Sequence, residues 1–251
     1  FIYPNLFIVY NFGRVGSGKL AIYGHAGIIG GGGSVDWDGT AAFDNTAFAM
    51  ANLYFLYLGS TCNPTSINNR IQASSLYLGL GAGVAYSFFR DKVSISIGGR
   101  FVHSERDVQI DGELEYDNGY YQTFNTEWDY NADNFSHIIG IDIRPMRKVT
   151  IGIRYEAKTS LLFKYEQDEN VAYNNQGNTA SLNDPLTNSF NKDGDKKNQD
   201  LPEIFSISVE YAFSHKLAVS VSGTTYSLSK TDMEGLEECY GTGWDASIGV
   251  A

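Results

Sequence analysis

The sequence predicts an all-β protein, an antiparallel transmembrane β-barrel of the outer-membrane type. Apolar residues alternate with small or polar residues at a period of two over most of the chain, and the connections between these runs are alternately short and long. No run of about 18 apolar residues occurs, so no membrane-spanning helix is expected. A mean hydropathy of −0.23 is compatible with a barrel, because barrel strands are apolar on one face only.

Nine runs with this alternation are expected to be strands. They are, in chain order, 6–12, 20–29, 76–88, 93–102, 135–143, 149–158, 205–213, 217–226 and 244–250. The clearest run begins at Leu76, where large apolar residues on one side alternate with Gly, Ala and Ser on the other. A strand of about 9 to 11 residues is long enough to cross a bilayer, and the longest runs meet that length.

The connections differ between the two ends of the expected sheet. The short ones are 13–19, 89–92, 144–148 and 214–216, and the long ones are 30–70, 104–134, 166–200 and 227–243. Outer-membrane barrels have short periplasmic turns and long extracellular loops. We therefore expect residues 1–251 to form a single β-barrel domain with four extracellular loops. A soluble extracellular β-sandwich binding module is the alternative, although sandwich strands are usually only about 5 to 6 residues long.

Three local patterns resemble the FadL/TodX family of outer-membrane transporters. They are the triplet LPE at 201–203, which precedes a strand pair, the tetrapeptide YEAK at 155–158 and the triplet PNL at 4–6. The resemblance implies a fourteen-stranded barrel with an N-terminal hatch and a lateral opening. Such a barrel passes long-chain fatty acids and other hydrophobic small molecules across the Gram-negative outer membrane by passive diffusion. On the family's strand order, this chain runs from about the second strand to the tenth, so we expect further residues at both ends.

An apolar segment in the first long loop is a candidate substrate-binding surface. Residues 47–58 form the most apolar stretch outside the strands and include Phe48, Met50, Leu53 and Phe55. An exposed apolar patch usually marks a binding surface. The alternative is that these side chains fill the barrel mouth.

Charged residues on the Ser/Gly face of the strands are the second candidate. Arg100, Arg154 and Lys158 alternate with apolar residues, so they would face the lumen. There they either take part in a salt-bridge network that braces the barrel or bind the carboxylate of a substrate. The choice stays open at this point.

Four glycines and two cysteines complete the candidate sites. Gly30, Gly31, Gly32 and Gly33 are expected to end or bend the second strand, near the lateral opening that the family resemblance implies, or to start a flexible loop. Both cysteines fall in long loops. Cys62 and Cys239 would therefore meet an oxidising environment, and a disulfide between them would stabilise the fold by up to about 4–5 kcal/mol. Pairing with cysteines beyond the two ends is the alternative.

Composition and spacing exclude several functions. A net charge of −11 argues against nucleic-acid binding. The four histidines are scattered without ligand or triad spacing, so we expect no enzyme, no metal and no cofactor. The expected partners are a hydrophobic small molecule, outer-membrane lipid and lipopolysaccharide. A structural or adhesive outer-membrane protein, with a partner protein at the extracellular loops, is a further alternative.

Overall fold

The protein is all-β, as the alternation predicts. A computed structural model describes residues 5–38, 64–119, 121–174, 179–180, 193–214, 217–233, 239 and 241–250. Within these residues, no helix has the length and apolar character needed to cross a membrane. A short 3₁₀ turn, Leu228–Lys230, follows the eleventh strand.

The described residues form one antiparallel sheet of twelve strands. The strands are β1 (Asn5–Val15), β2 (Gly18–Asp38), β3 (Pro64–Phe88), β4 (Val93–Tyr116), β5 (Tyr121–Met146), β6 (Val149–Glu156), β7 (Leu162–Asn174), β8 (Thr179–Ala180), β9 (Lys196–Asn198), β10 (Glu203–Ser214), β11 (Leu217–Ser227) and β12 (Thr242–Val250). Nine of them pair in the order β1-β2-β3-β4-β5-β6-β10-β11-β12, so the nine predicted strands are confirmed as neighbours in chain order.

The sheet has two unlike faces, because successive side chains of a strand point to opposite sides. Ile97, Val209 and Val221 are exposed on the face that we call the outer face. On the other face, the inner face, Ser96, Gly152, Ser208 and Ser222 line one cavity. The residues around this cavity come from seven strands between β1 and β11, so the inner face is concave.

The prediction of a long loop at 104–134 is wrong. β4 continues to Tyr116 and β5 begins at Tyr121, and the two pair without a register shift from Val93↔Ile143 to Glu115↔Tyr121. A turn at 117–119, closed by a hydrogen bond from the Gly119 N–H to the Tyr116 carbonyl oxygen, follows β4 directly. The alternation continues through this region, but here the polar residues face outward and apolar residues occur on the inner side. A search for apolar outer positions therefore cannot detect these strands.

The reversal of polarity occurs at a sharp boundary in β4. Phe101 is an exposed apolar residue of the outer face, and from His103 upward the outer positions of β4 are His, Glu, Asp and Gln. The inner positions become apolar at the same level, since Val102 and Ile110 are buried. The apolar outer stretch from Val93 to Phe101 covers nine positions, or about 27 Å along a strand at ~3.4 Å per residue.

The structure corrects the predicted loop at 166–200. Two strands in the wall of the sheet are each interrupted once, so that β6 is continued by β7 and β9 is continued by β10. Residues of β9 and β10 pair with β7 and β6 in one continuous register, from Leu162↔Asn198 through the bridge Thr159↔Leu201 to Ile204↔Glu156. Part of the predicted loop therefore belongs to the wall. The predicted loop at 227–243 begins with the 3₁₀ turn and ends at β12, whereas 175–178, 181–192, 234–238 and 240 lie outside the described residues.

The four glycines bend β2 without ending it. The register with β3 shifts between Ile28 and Gly30 and again between Gly31 and Gly33, and the strand continues to Asp38. The first long loop is therefore shorter than the predicted 30–70, because β3 begins at Pro64. Gly31 has φ +68°, and a Cβ there would lie 2.5 Å from the Ser75 carbonyl oxygen. Only glycine fits both constraints.

Candidate ligand-binding cavity

A cavity on the inner face has a volume of about 650 Å³. Its lining divides into three kinds of residue. The hydroxyl-bearing residues are Ser96, Ser206, Ser208, Ser222 and Thr224; the apolar and aromatic residues include Phe7, Tyr23, His25, Ile29 and Ile138; and the charged residues are Arg100, Asp142 and Arg154. A cavity of this volume is within the range that holds small-molecule ligands.

Glycines allow the rings of β2 to lie flat against the neighbouring strands. A Cβ at Gly83 or Gly98 would collide with the Tyr23 ring, and one at Gly81 would collide with the imidazole of His25. On the β1 side, Phe7 stacks on His25 with their ring centroids 6.0 Å apart. The Gly-rich alternation of the sequence thus has a packing role, since it makes room for the aromatic wall of the cavity.

A buried carboxylate joins two of the predicted site residues. Glu156 is only 2% exposed and forms ion pairs with both Arg100 and Arg154, the latter through Nη2 at 2.8 Å. The Arg100 side chain is 11% exposed, and that of Arg154 is 51% exposed. A buried charge is tolerated only with a partner, so this cluster depends on all three groups.

The third predicted cation lies in a different cluster. Lys158 forms an ion pair with the buried Asp200 at 2.7 Å. Asp200 Oδ1 accepts a hydrogen bond from the backbone N–H of Leu161, and Oδ2, the oxygen paired with Lys158, accepts one from the backbone N–H of Asp232. Asp200 therefore connects the wall strands near the 3₁₀ turn. The structure brings Arg100 and Arg154 together at the cavity, and Lys158 is not among the cavity-lining residues.

A buried aromatic cluster lies beyond Arg100 toward the end of the sheet that carries the long connections. It consists of Tyr77, Val102, Ala132, Leu161, Phe163 and Tyr165, with Ile29 packed against it. The guanidinium of Arg106 lies over the Phe163 ring at 4.4 Å and over the Tyr77 ring at 5.3 Å, and it donates hydrogen bonds to Tyr77 Oη and Gln199 Oε1. Because Ile29 also lines the cavity, this aromatic cluster adjoins the cavity on that side.

Sequence reasoning missed this aromatic cluster for a simple reason. Val102 is the last residue of its predicted strand, and Arg106 and Ala132 fell in a predicted loop. The available signal was the reversed alternation after His103, with Ser, Arg, Val and Ile at the even positions.

Several polar atoms next to the aromatic cluster are buried without a hydrogen-bond partner among the described residues. They are Arg100 Nε, Ser104 Oγ, Ser136 Oγ and Thr159 Oγ1. An unsatisfied buried polar group costs about 1–3 kcal/mol. These atoms make the packing around the aromatic cluster less stable than an apolar packing of the same shape would be.

Ser104→Ala is therefore expected to stabilise the protein, by about 1 kcal/mol. Ser104 is fully buried and its hydroxyl has no partner in the described part of the chain. The measurement is the free energy of unfolding in urea. Ser222→Ala is the matched control, because Ser222 Oγ lies 2.7 Å from Ser247 Oγ, and its loss should cost about 0.5–1.5 kcal/mol. Equal losses in both variants would mean that the Ser104 hydroxyl has a partner after all.

Two charged pairs, His103–Asp133 and Arg70–Asp36, lie on the polar part of the outer face. Hydrogen bonds to Asp133 and then Glu105 raise the pKa of His103 above its ordinary value. On β2, a hydrogen bond from Arg70 lowers the pKa of Asp36 below its ordinary value. Both pairs are solvent-exposed, so their contribution to stability is small.

The remaining predicted site residues are mostly outside the described chain. Phe48, Met50, Leu53, Phe55 and Cys62 lie in 39–63, which the structure does not describe. Cys239 is exposed, with a free thiol. The predicted disulfide and the predicted loop surface therefore stay predictions.

The fold and the cavity define an all-β protein with a concave, polar inner face and an apolar outer face. Comparison with protein-family models, with curated protein sequences and with solved structures finds no match.

Proposed function

We propose that the protein forms a β-barrel in the outer membrane of a Gram-negative cell. Its function would be to pass hydrophobic small molecules, such as long-chain fatty acids, by passive diffusion. The observation that carries the proposal is the boundary between Phe101 and His103 on the outer face. Below this boundary the outer face of β4 is apolar along nine residues of the strand, and above it the outer face of β4 is charged. A transmembrane strand needs about 9 to 11 residues and an apolar band about 25 Å tall.

The inner face supports passage of a ligand. Hydroxyl-bearing residues of β10 and β11 line one side of the cavity, and the aromatic cluster adjoins it at Ile29. A molecule would be captured by the apolar loop segment 47–58, enter the cavity and leave sideways near the bend at Gly31. The outer face would contact lipid and lipopolysaccharide. No step requires covalent chemistry, a metal or a cofactor.

The first test is uptake of a fluorescent apolar probe into proteoliposomes, supplied both as a fatty acid and as its neutral ester. Replacing Phe48, Met50, Leu53 and Phe55 together with Ser should lower uptake by at least about tenfold, since each buried apolar side chain contributes roughly 1.5–3 kcal/mol. Asn45→Ser with Asn52→Ser is the control in the same predicted loop. Mobility of unboiled protein on a gel checks that both variants fold.

The outcomes separate the candidate functions. Normal uptake by the quadruple variant would reduce these side chains to filler of the mouth. A barrel that folds but transports no apolar probe would favour a structural or adhesive protein. A chain that stays soluble without detergent and shows no heat-dependent mobility would favour a β-sandwich binding module.

A further inference from the structure

The cavity's cations are already neutralised by carboxylates of the protein. Arg100 and Arg154 share Glu156, and Asp142 is the other carboxylate at the cavity. Two positive and two negative groups therefore cancel when His25 is neutral. An anionic ligand would add an unbalanced negative charge to a partly buried site, which is costly in a low-dielectric environment.

The uncharged part of the lining points to a ligand with both apolar and oxygen-bearing parts. Hydroxyl groups of β4, β10 and β11 form one wall, and Ser206 Oγ lies 3.1 Å from Thr224 Oγ1. Such hydroxyls both donate and accept hydrogen bonds, so they match an alcohol, ketone or ester group. Tyr23, Ile29 and Ile138 line the same cavity with apolar surface.

The charge of the whole chain acts in the same direction. A net charge of −11 repels anions and lowers their rate of entry into the cavity. It does not affect a neutral molecule.

We propose that the cavity selects neutral, oxygen-bearing hydrophobic molecules, such as medium- or long-chain alcohols, ketones or esters, over carboxylates of the same chain length. This inference rests on the proposed function and narrows its substrate class, with neutral molecules in place of the long-chain fatty acids named there. The feature responsible is the internal neutralisation of Arg100 and Arg154 by Glu156 beside a wall of hydroxyl groups.

The test compares 1-decanol with decanoate, which differ only in the head group. Binding to the detergent-solubilised protein is measured by equilibrium dialysis at about pH 8, where decanoate is ionised, with empty micelles subtracted. Decanol should bind at least about tenfold more tightly than decanoate.

Asp142→Asn provides the decisive variant, because Asp142 is exposed to the cavity and its loss leaves one cation in excess. It should raise the affinity for decanoate about tenfold relative to that for decanol. Asp111→Asn, on the outer face of β4, changes the net charge equally and should alter neither affinity. Arg154→Gln should lower the affinity for decanoate relative to that for decanol.

Three results would separate the inference from the proposed function. Tighter binding of decanoate than of decanol by the wild-type protein, lost in Arg154→Gln, would overturn the inference and keep the transport proposal. Equal effects of Asp142→Asn and Asp111→Asn would also overturn it. If neither probe binds and neither crosses proteoliposomes, the proposed function itself fails.

Discussion

Ile97→Arg is expected to destabilise the protein folded into lipid vesicles by about 2–4 kcal/mol, the cost of a cation on the lipid face near the middle of a bilayer. Ile97 is 60% exposed on the outer face and lies four positions below the polarity boundary at Phe101. An exposed isoleucine in water would tolerate this change with little effect. A large loss therefore tests the membrane proposal directly.

The matched control is the adjacent residue. Ser96→Arg introduces the same side chain on the inner face, where Ser96 lines the cavity. It should cost much less than Ile97→Arg, because the inner face already carries charged side chains and a lumen position does not contact lipid. Urea titration of vesicle-folded protein gives both free energies. Equal tolerance of the two substitutions would contradict the barrel.

Glu156→Gln is expected to cost about 3–5 kcal/mol, the penalty for leaving buried charges without their partner. Within the described chain, the Glu156 carboxylate forms ion pairs with both Arg100 and Arg154, and Arg100 has little access to water. The neutral amide keeps the shape of the side chain, so the loss reports the charge. The measurement is the free energy of unfolding in urea.

Two further variants keep this prediction specific. Asp91→Asn removes the carboxylate of the exposed pair Lys19–Asp91 and should change the free energy of unfolding much less than Glu156→Gln does. The double variant Arg100→Met with Glu156→Met replaces ions by apolar groups of similar size and should recover much of the loss. If Glu156→Gln costs no more than Asp91→Asn, the cluster is not required for stability.

The apolar half of the sheet could be predicted from the sequence, and the charged half could not. Alternation at Leu76 and at Val93 defines both the strands and their faces, because one face is apolar throughout. Above Phe101 the same alternation continues with carboxylates on the outer side, which resembles a solvated loop in composition. Strand pairing, not hydrophobicity, extends β4 to Tyr116.

The ion-pair partners also required the structure. Arg100 was expected on the inner face, but its partner Glu156 lies on β6, with β5 between this strand and β4. Arg100 pairs in register with Ser136 of β5, whose small side chain leaves room for the guanidinium to reach Glu156. Residue spacing along the chain does not reveal a contact across an intervening strand.

The upper part of the β4–β5 hairpin has a consequence for recognition by other proteins. Its outer face carries Glu105, Asp107, Asp111, Glu127, Asp129 and Asp133 on two fully paired strands. An antibody raised against this face would meet a preorganised, acidic epitope and would lose little entropy in ordering it. Its paratope would need arginine or lysine side chains, and its association rate would fall steeply with ionic strength.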